Sequence, residues 1–431
     1  MKATGSRVLK RRALFRWALI GGVFASALFF GCRSPVTEPE RTRGGFSPDG
    51  LEAVTAAMQD AVDRGELGGI VTLLYRHGEV AQVDAVGWQD KARTTPMARD
   101  SIFRIASMTK PITSVAALIL LEEGHFELDD PVDRWLPELA DRKVLRDPTA
   151  ALDSGVRASR PIQVIDLLTH RSGIVTPRTE AGPLLDALTE ADANNAVGYD
   201  LWMEWIGALP LAHQPGTTFN YGNSLDVLGI FVERVSGMKF PDFLRERILE
   251  PLGMADTAFW VPPEKRSRMA RLQSLGRVPA SWIPSLTEVP GFPSGAGGLY
   301  STVDDYLKFA RMLLGRGKPG DAGLLAPETV EAMTTNRLTP EQRNGLPFGG
   351  PEGYWQGQGF GLGVAVKDAP EVVTPELGIA SVGAFGWPGV FGTWWEADPE
   401  EEMILIFMVP GGDAKPARWA FQEAAYRAIE D

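Results

Sequence analysis

Ser107-Met108-Thr109-Lys110 stands at the head of an apolar run that continues to Glu123, and the reading of the whole chain works outward from it. Residues three apart on a helix share one face, so this pair sets a hydroxyl beside an amine able to take its proton. Chance alone places a serine and a lysine at this spacing about once in a chain of ordinary composition and this length. The context favours chemistry, because Phe103-Arg104-Ile105-Ala106 leads straight into the helix and little else explains a lysine opening an apolar run. Serine is a poor nucleophile at neutral pH, so Lys110 can serve as base only with a partly neutral amine, which burial or a nearby cation promotes. Ser107 near a helix start also brings its own backbone N–H towards a developing oxyanion.

A partner for this pair lies far downstream. Gln214 to Asn220 is a turn-rich lead-in to Tyr221-Gly222-Asn223, followed by a helix from about Ser224. Tyr221 is suited to relay a proton and to hold Lys110, with Asn223 supplying a polar amide. The plainer alternative is a tyrosine packed on a helix shoulder with Asn223 as its cap. Gly295-Ala296-Gly297-Gly298 precedes Ser301-Thr302, a capping pair for a helix to Leu314. Gly386-Trp387-Pro388-Gly389 reads as a link between two strand candidates. It is either a simple turn or a rim that presents the Val390 N–H to a substrate carbonyl. His77, His125, His170 and His213 fall in no metal-ligand spacing, and there is no GxSxG elbow or phosphate-binding loop. No metal and no cofactor is expected, and His170 is expected to fix a loop.

The pattern around these motifs gives an α/β (α+β) fold. Leu51, Val54, Met58, Ala61 and Val62 recur at helical spacing, and Gly69–Tyr75 and Val80–Gly87 read as a hairpin. Strand patterns return at Phe360–Val366, Ile379–Phe385, Gly392–Ala397 and Met403–Val409, before a helix from about Ala414 to Ile429. Short connections between the last three favour antiparallel neighbours. Early hairpin and late strands then form one antiparallel sheet flanked by the N- and C-terminal helices. The expected organisation is a sheet domain from 50–130 and 291–431, with a large, mostly helical insertion at 131–290.

The first 31 residues carry six basic side chains, no acidic one, and an apolar stretch from Ala13 to Phe30, as in an export signal or membrane anchor. The stretch ends at Cys32, the only cysteine, in an arrangement that resembles a bacterial lipoprotein signal; residues 32–49 read as a flexible tether. Lipidation at Cys32, an uncleaved anchor and plain secretion are the three outcomes. The expected place is a bacterial cell envelope, with the body periplasmic or extracellular and the N-terminal segment its sole membrane contact. The formal net charge of −12 becomes −18 without the leader, which excludes a nucleic-acid-binding surface. A single cysteine rules out an internal disulfide, so stability rests on a packed core.

In these blocks the chain resembles the serine beta-lactamase-related family, which contains penicillin-binding DD-peptidases, class C beta-lactamases and family VIII carboxylesterases. The matching segments are Ser107-x-x-Lys110, Leu167–Gly173, Pro215–Asn223, Pro251–Met254 with Thr257, Gly295–Thr302 and Gly386–Thr393. The resemblance implies a beta-lactamase/transpeptidase-like fold. It also implies Ser107 as acylated nucleophile, Lys110 and Tyr221 as the coupled acid/base pair, Asn223 against the acyl side of the substrate, and an oxyanion hole from the Ser107 and Val390 N–H groups. The third motif departs from the family. Beta-lactamases of this kind usually carry Lys-Thr-Gly or His-Thr-Gly, where this chain has Trp387, Pro388 and Gly389. Tryptophan cannot pair with a substrate carboxylate as lysine does. The substrate expected is therefore a small, uncharged carboxylic ester; beta-lactams, D-amino-acid peptides, acyl transfer to an alcohol and a relic site in an envelope binding protein are the alternatives.

Overall fold

The computed structural model describes residues 43–147, 150–175, 182–193, 198–274, 283, 289–315, 323–343 and 353–430. The leader, Cys32 and most of the expected tether lie outside the described residues. Among the described residues no helix is long and apolar enough to cross a membrane.

The centre is a seven-stranded antiparallel sheet. Its strands are β1 (Gly69–Arg76), β2 (Glu79–Gly87), β3 (Gln358–Phe360), β4 (Ala365–Lys367), β5 (Phe385–Pro388), β6 (Trp394–Asp398) and β7 (Met403–Met408), in the spatial order β2-β1-β7-β6-β5-β4-β3. The last strand of the chain thus pairs with the first, Val71 opposite Met408 and Arg76 opposite Met403. Strand β7, Met-Ile-Leu-Ile-Phe-Met, is apolar at every position because helices cover both faces. Met403, Leu405 and Phe407 face one core with Val54, Met58, Phe421 and Ala425 from α1 (Pro48–Asp63) and the C-terminal helix Lys415–Arg427. Ile404, Ile406 and Met408 face a second, larger core.

That second core contains α2 (Thr109–Glu122), α3 (Ser224–Ser236) and α4 (Val303–Leu314). Every residue of α2 from Thr109 to Leu120 is buried, a helix enclosed on all sides rather than lying on the sheet by one stripe. Pro111 costs it nothing in the first turn, where amides have no intrahelical acceptor. The described part of 131–290 carries helices joined by long loops, among them Val164–Leu168, Pro183–Ala193, Tyr199–Ala208, α3 and Phe240–Leu244. It also holds a two-residue pairing of Lys143–Val144 with Val156–Arg157. Thr42–Asp431 packs as one compact unit, and the larger core runs unbroken from Ile406 through Ile112 to Phe231, Phe240 and Trp202.

Four expectations need correction. Phe360–Val366 is not one strand but a hairpin, β3 and β4, turned at Gly361–Val364, where Gly363 adopts φ +94°. Ile379–Phe385 is a turn until Phe385, because left-handed Gly383 and the Ala384 N–H to Ser381 O bond of 3.1 Å end any extended run. Gly386-Trp387-Pro388 lies within β5 and does not join strands; the turn is Gly389–Gly392, closed by Gly392 N–H to Gly389 O at 2.9 Å. The tether does not extend to residue 49: Phe46 is fully buried, Ser47 donates its amide to Ala428 O at 2.8 Å, and its hydroxyl caps α1 through Gly50 N–H at 3.0 Å.

Phe46→Ala should therefore destabilise the body by about 3–5 kcal/mol, as expected for emptying a buried phenylalanine site. Urea unfolding followed by tryptophan fluorescence measures it; an unchanged midpoint would mean that residue 46 is still tether.

Candidate active site

Ser107 is in the middle of a single 3₁₀ turn, Ala106–Met108, immediately before α2, so it and Lys110 straddle a turn-to-helix junction. Ala106 adopts φ +45°, a left-handed conformation that costs a residue with a Cβ about 1–2 kcal/mol and lifts the serine out of the helix path. The surroundings hold this turn from several directions. Ile105 N–H donates to Leu299 O at 3.1 Å, Leu299 N–H donates to Thr109 Oγ1 at 3.1 Å, Tyr306 Oη donates to Met108 O at 2.9 Å, and Thr393 Oγ1 donates to Ile105 O at 3.3 Å. The short pairing of Phe103–Arg104 with Tyr300–Ser301 brings the glycine-rich segment 295–298 alongside.

Lys110 is buried, and its Nζ donates to Ser107 Oγ at 3.1 Å and to Ala296 O at 2.6 Å. The ammonium also lies 4.6 Å from the centroid of the Tyr221 ring, a cation–π contact. Tyr221 sits in the loop before α3, buried, and its Oη accepts a hydrogen bond of 3.1 Å from Trp387 Nε1. The two rings are 5.4 Å apart and tilted by 40°. Ser107, Lys110, Tyr221 and Trp387 are thus one connected group, drawn from three separate parts of the sequence.

Asn223 is buried at the N-terminus of α3, but its side chain makes no cap bond, so the plain capping reading fails. Gly389 follows β5 directly and lies against the Ser107 turn: a Cβ there would lie 2.4 Å from Ile105 O and 2.2 Å from Thr393 Oγ1. Only glycine lets the two segments approach so closely. Val390 follows at the first corner of the Gly389–Gly392 turn, where its amide takes no part in the closing bond, and Phe391 packs on Ala106. The structure therefore brings the Val390 segment beside Ser107. Cys32 lies outside the described residues.

Sequence reading gave two groups here only part of their role and passed over a third, Asp226. His170 does fix a loop, its Nδ1 accepting Gly222 N–H at 3.4 Å and its carbonyl accepting Asn220 N–H at 2.7 Å. Its ring also packs 4.6 Å from that of Tyr221, and burial together with the Lys110 charge pushes its pKa well below the ordinary histidine value, so it stands neutral. Trp387 was read as a lost anion binder, whereas its N–H serves Tyr221. Asp226, a lone carboxylate inside the apolar run Leu225–Val232, is buried beneath the 294–296 segment; that misfit of charge and neighbours was its available signal. The arginines able in principle to replace the missing lysine are engaged elsewhere: Arg104 over the Tyr300 ring, Arg171 on Thr169 Oγ1 and Arg337 on Ala332 O.

A family model described as Beta-lactamase matches residues 54–425 of the chain. This chain belongs to that family. Protein Rv1367c of Mycobacterium tuberculosis (strain ATCC 25618 / H37Rv) is 40% identical over 364 residues, covering 83% of this chain and 90% of the relative. Esterase EstB of Burkholderia gladioli is 31% identical over 396 residues, covering 86% and 94%. Among solved structures, that of EstCE1, described as a hydrolase with promiscuous acyltransferase activity, superposes with a TM-score of 0.71 at 26% identity and covers 88% of this chain and 99% of its own. The chain is a serine hydrolase of the beta-lactamase/esterase superfamily.

Proposed function

We propose that this hydrolase cleaves small, uncharged carboxylic esters through an acyl-enzyme on Ser107. Ser107 Oγ attacks the ester carbonyl while its proton passes to the coupled Lys110–Tyr221 pair, for which the 3.1 Å Oγ to Nζ contact supplies the path. The tetrahedral oxyanion lies between the Ser107 and Val390 N–H groups, and Asn223 contacts the acyl side. Collapse breaks the ester C–O bond, and the leaving alcohol takes the proton back from the pair. Water then attacks the acyl carbonyl with the same pair as base, and the carboxylic acid departs as Ser107 is regenerated.

The observation that carries the ester reading is the Trp387 Nε1 to Tyr221 Oη bond of 3.1 Å. A donor at this oxygen stabilises its anionic form and so helps the phenol give up its proton within the pair. The third motif is thereby committed to the acid/base tyrosine instead of a substrate carboxylate, and Arg104, Arg171 and Arg337 are tied to other partners. The esterase EstB and the hydrolase EstCE1 support the same reading by likeness. Acyl transfer is the second reading, since an alcohol in place of water completes the same cycle and EstCE1 is described as having that side activity.

The body is proposed to be held in a bacterial envelope through a lipid on Cys32. Cys32→Ser should move the protein from the membrane fraction to the soluble one; a variant that stays with the membrane would point to an uncleaved anchor instead.

Ser107→Ala should abolish turnover of para-nitrophenyl butyrate without loss of fold by circular dichroism. Trp387→Phe, which keeps a ring and removes the N–H, should lower kcat/KM roughly two- to tenfold, the worth of one neutral hydrogen bond. The wild-type kcat/KM for the ester should exceed that for a chromogenic cephalosporin; the reverse order would make the protein a beta-lactamase.

A further inference from the structure

The Lys110 ammonium needs a fixed acceptor, and its shortest contact is to a backbone carbonyl, Ala296 O at 2.6 Å. That carbonyl belongs to a loop, so something must hold the loop. The preceding peptide, Gly295–Ala296, is clamped at both ends. Its carbonyl accepts Thr113 Oγ1 of α2 at 2.7 Å, and its N–H donates to Asp226 Oδ1 of α3 at 3.1 Å. Asp226 Oδ1 also accepts Ser294 Oγ at 2.6 Å, so one carboxylate oxygen gathers two positions of the segment, residues 294 and 296. The fit leaves no room at residue 295, where a Cβ would lie 2.4 Å from Leu225 O.

Asp226 is 8% exposed, and a carboxylate placed there for loop geometry alone carries a desolvation cost that a serine or asparagine would avoid. Its charge has a counterpart in Lys110. Burial raises the Asp226 carboxyl above its ordinary value, and the Ser294 hydrogen bond, the Lys110 charge and the Ala296 amide offset that rise only in part. Among the described residues, the other groups facing this region add no competing cation. His170, from the loop after Val164–Leu168, is held neutral by burial and by Lys110. Tyr199, from Tyr199–Ala208, donates to Pro293 O, and its phenol is pushed well up by burial and by the charges of Glu233 and Asp226. Tyr221 presents its ring face to the amine, with its oxygen on Trp387 of β5.

We propose that Asp226 is a positioning residue for acyl transfer: it fixes the Gly295–Ala296 peptide so that Ala296 O holds the Lys110 amine at Ser107, and it supplies the buried negative charge that opposes the Lys110 ammonium. This inference rests on reading Ser107 and Lys110 as the acylating pair. It assigns a dual role, geometric and electrostatic, to a residue that touches neither substrate nor nucleophile.

Two substitutions separate the roles. Asp226→Asn keeps an oxygen for Ser294 and Ala296 and removes the charge; Asp226→Ala removes both. They are compared with the wild type as full-length chains in detergent, with kcat and KM for para-nitrophenyl butyrate followed across pH and acylation of Ser107 followed by intact mass. Loss of a neighbouring carboxylate makes Lys110 release its proton more readily, so the acidic limb of kcat/KM should move to lower pH in Asp226→Asn. Asp226→Ala should show the same movement and, from the released loop, a kcat lower by on the order of ten- to a hundredfold with KM little changed. If Asp226→Asn does not fold, Ser294→Ala carries the test; it should lower kcat at unchanged KM, and a wild-type kcat would overturn the proposal. A wild-type acidic limb in folded Asp226→Asn would also overturn it. If instead the wild type forms no acyl adduct on Ser107, the ester-hydrolase reading itself fails.

Discussion

The constraint on which the site depends is the burial of one ammonium group. An unpaired charge taken out of water costs several kcal/mol, so a buried Lys110 requires partners in fixed places. It has Ser107 Oγ and Ala296 O as hydrogen-bond acceptors, the face of Tyr221, and the charge of Asp226 beyond the first peptide. Each partner comes from a different segment. The lysine is therefore both a member of the proposed proton-transfer pair with Tyr221 and the point at which α2, the loop before α3 and the 294–298 segment are brought into register.

The sheet and its helices supply the rigidity that this arrangement needs. An α2 enclosed on all sides cannot roll, because Thr109 to Leu120 pack in every direction. Strand β5 sits beside β6 in the same sheet, with Trp387 opposite Trp395, so the indole that serves Tyr221 is fixed by strand register. At the end of that strand Gly389 allows contact with Ile105, and this closeness sets the Val390 amide near the strained turn at Ala106. The same β5 position that holds a lysine or histidine in beta-lactamases of this kind holds an aromatic donor aimed at a tyrosine oxygen here. The proposed preference for neutral substrates then follows from where one N–H points.

Much of this was legible in the sequence, for identifiable reasons. The hairpin of β1 and β2 and the run Met403–Val409 stood out as short apolar or β-branched runs bounded by turn residues, and Ser107, Lys110 and Tyr221 fell in motifs whose order could be matched. Phe360–Val366 misled because its composition is strand-like while Gly363 turns the chain in the middle. Ile379–Phe385 misled likewise, since Ile379 and Val382 are apolar yet exposed. The Trp387 to Tyr221 bond joins residues 166 positions apart, and no local pattern announces such a contact. Asp226 was visible only as a charge among apolar neighbours, and its meaning came from Ala296, which sequence cannot place beside it.

The central claim is that the buried lysine makes Ser107 reactive. Lys110→Met fills the same space without a charge or a donor, so wild-type and Lys110→Met chains, each shown folded by circular dichroism, are exposed briefly to para-nitrophenyl acetate and mapped by peptide mass spectrometry. The account predicts one acetyl group on the peptide containing Ser107 in the wild type and none in Lys110→Met. Equal acetylation of Ser107 in both chains, or an adduct on another serine, would contradict it.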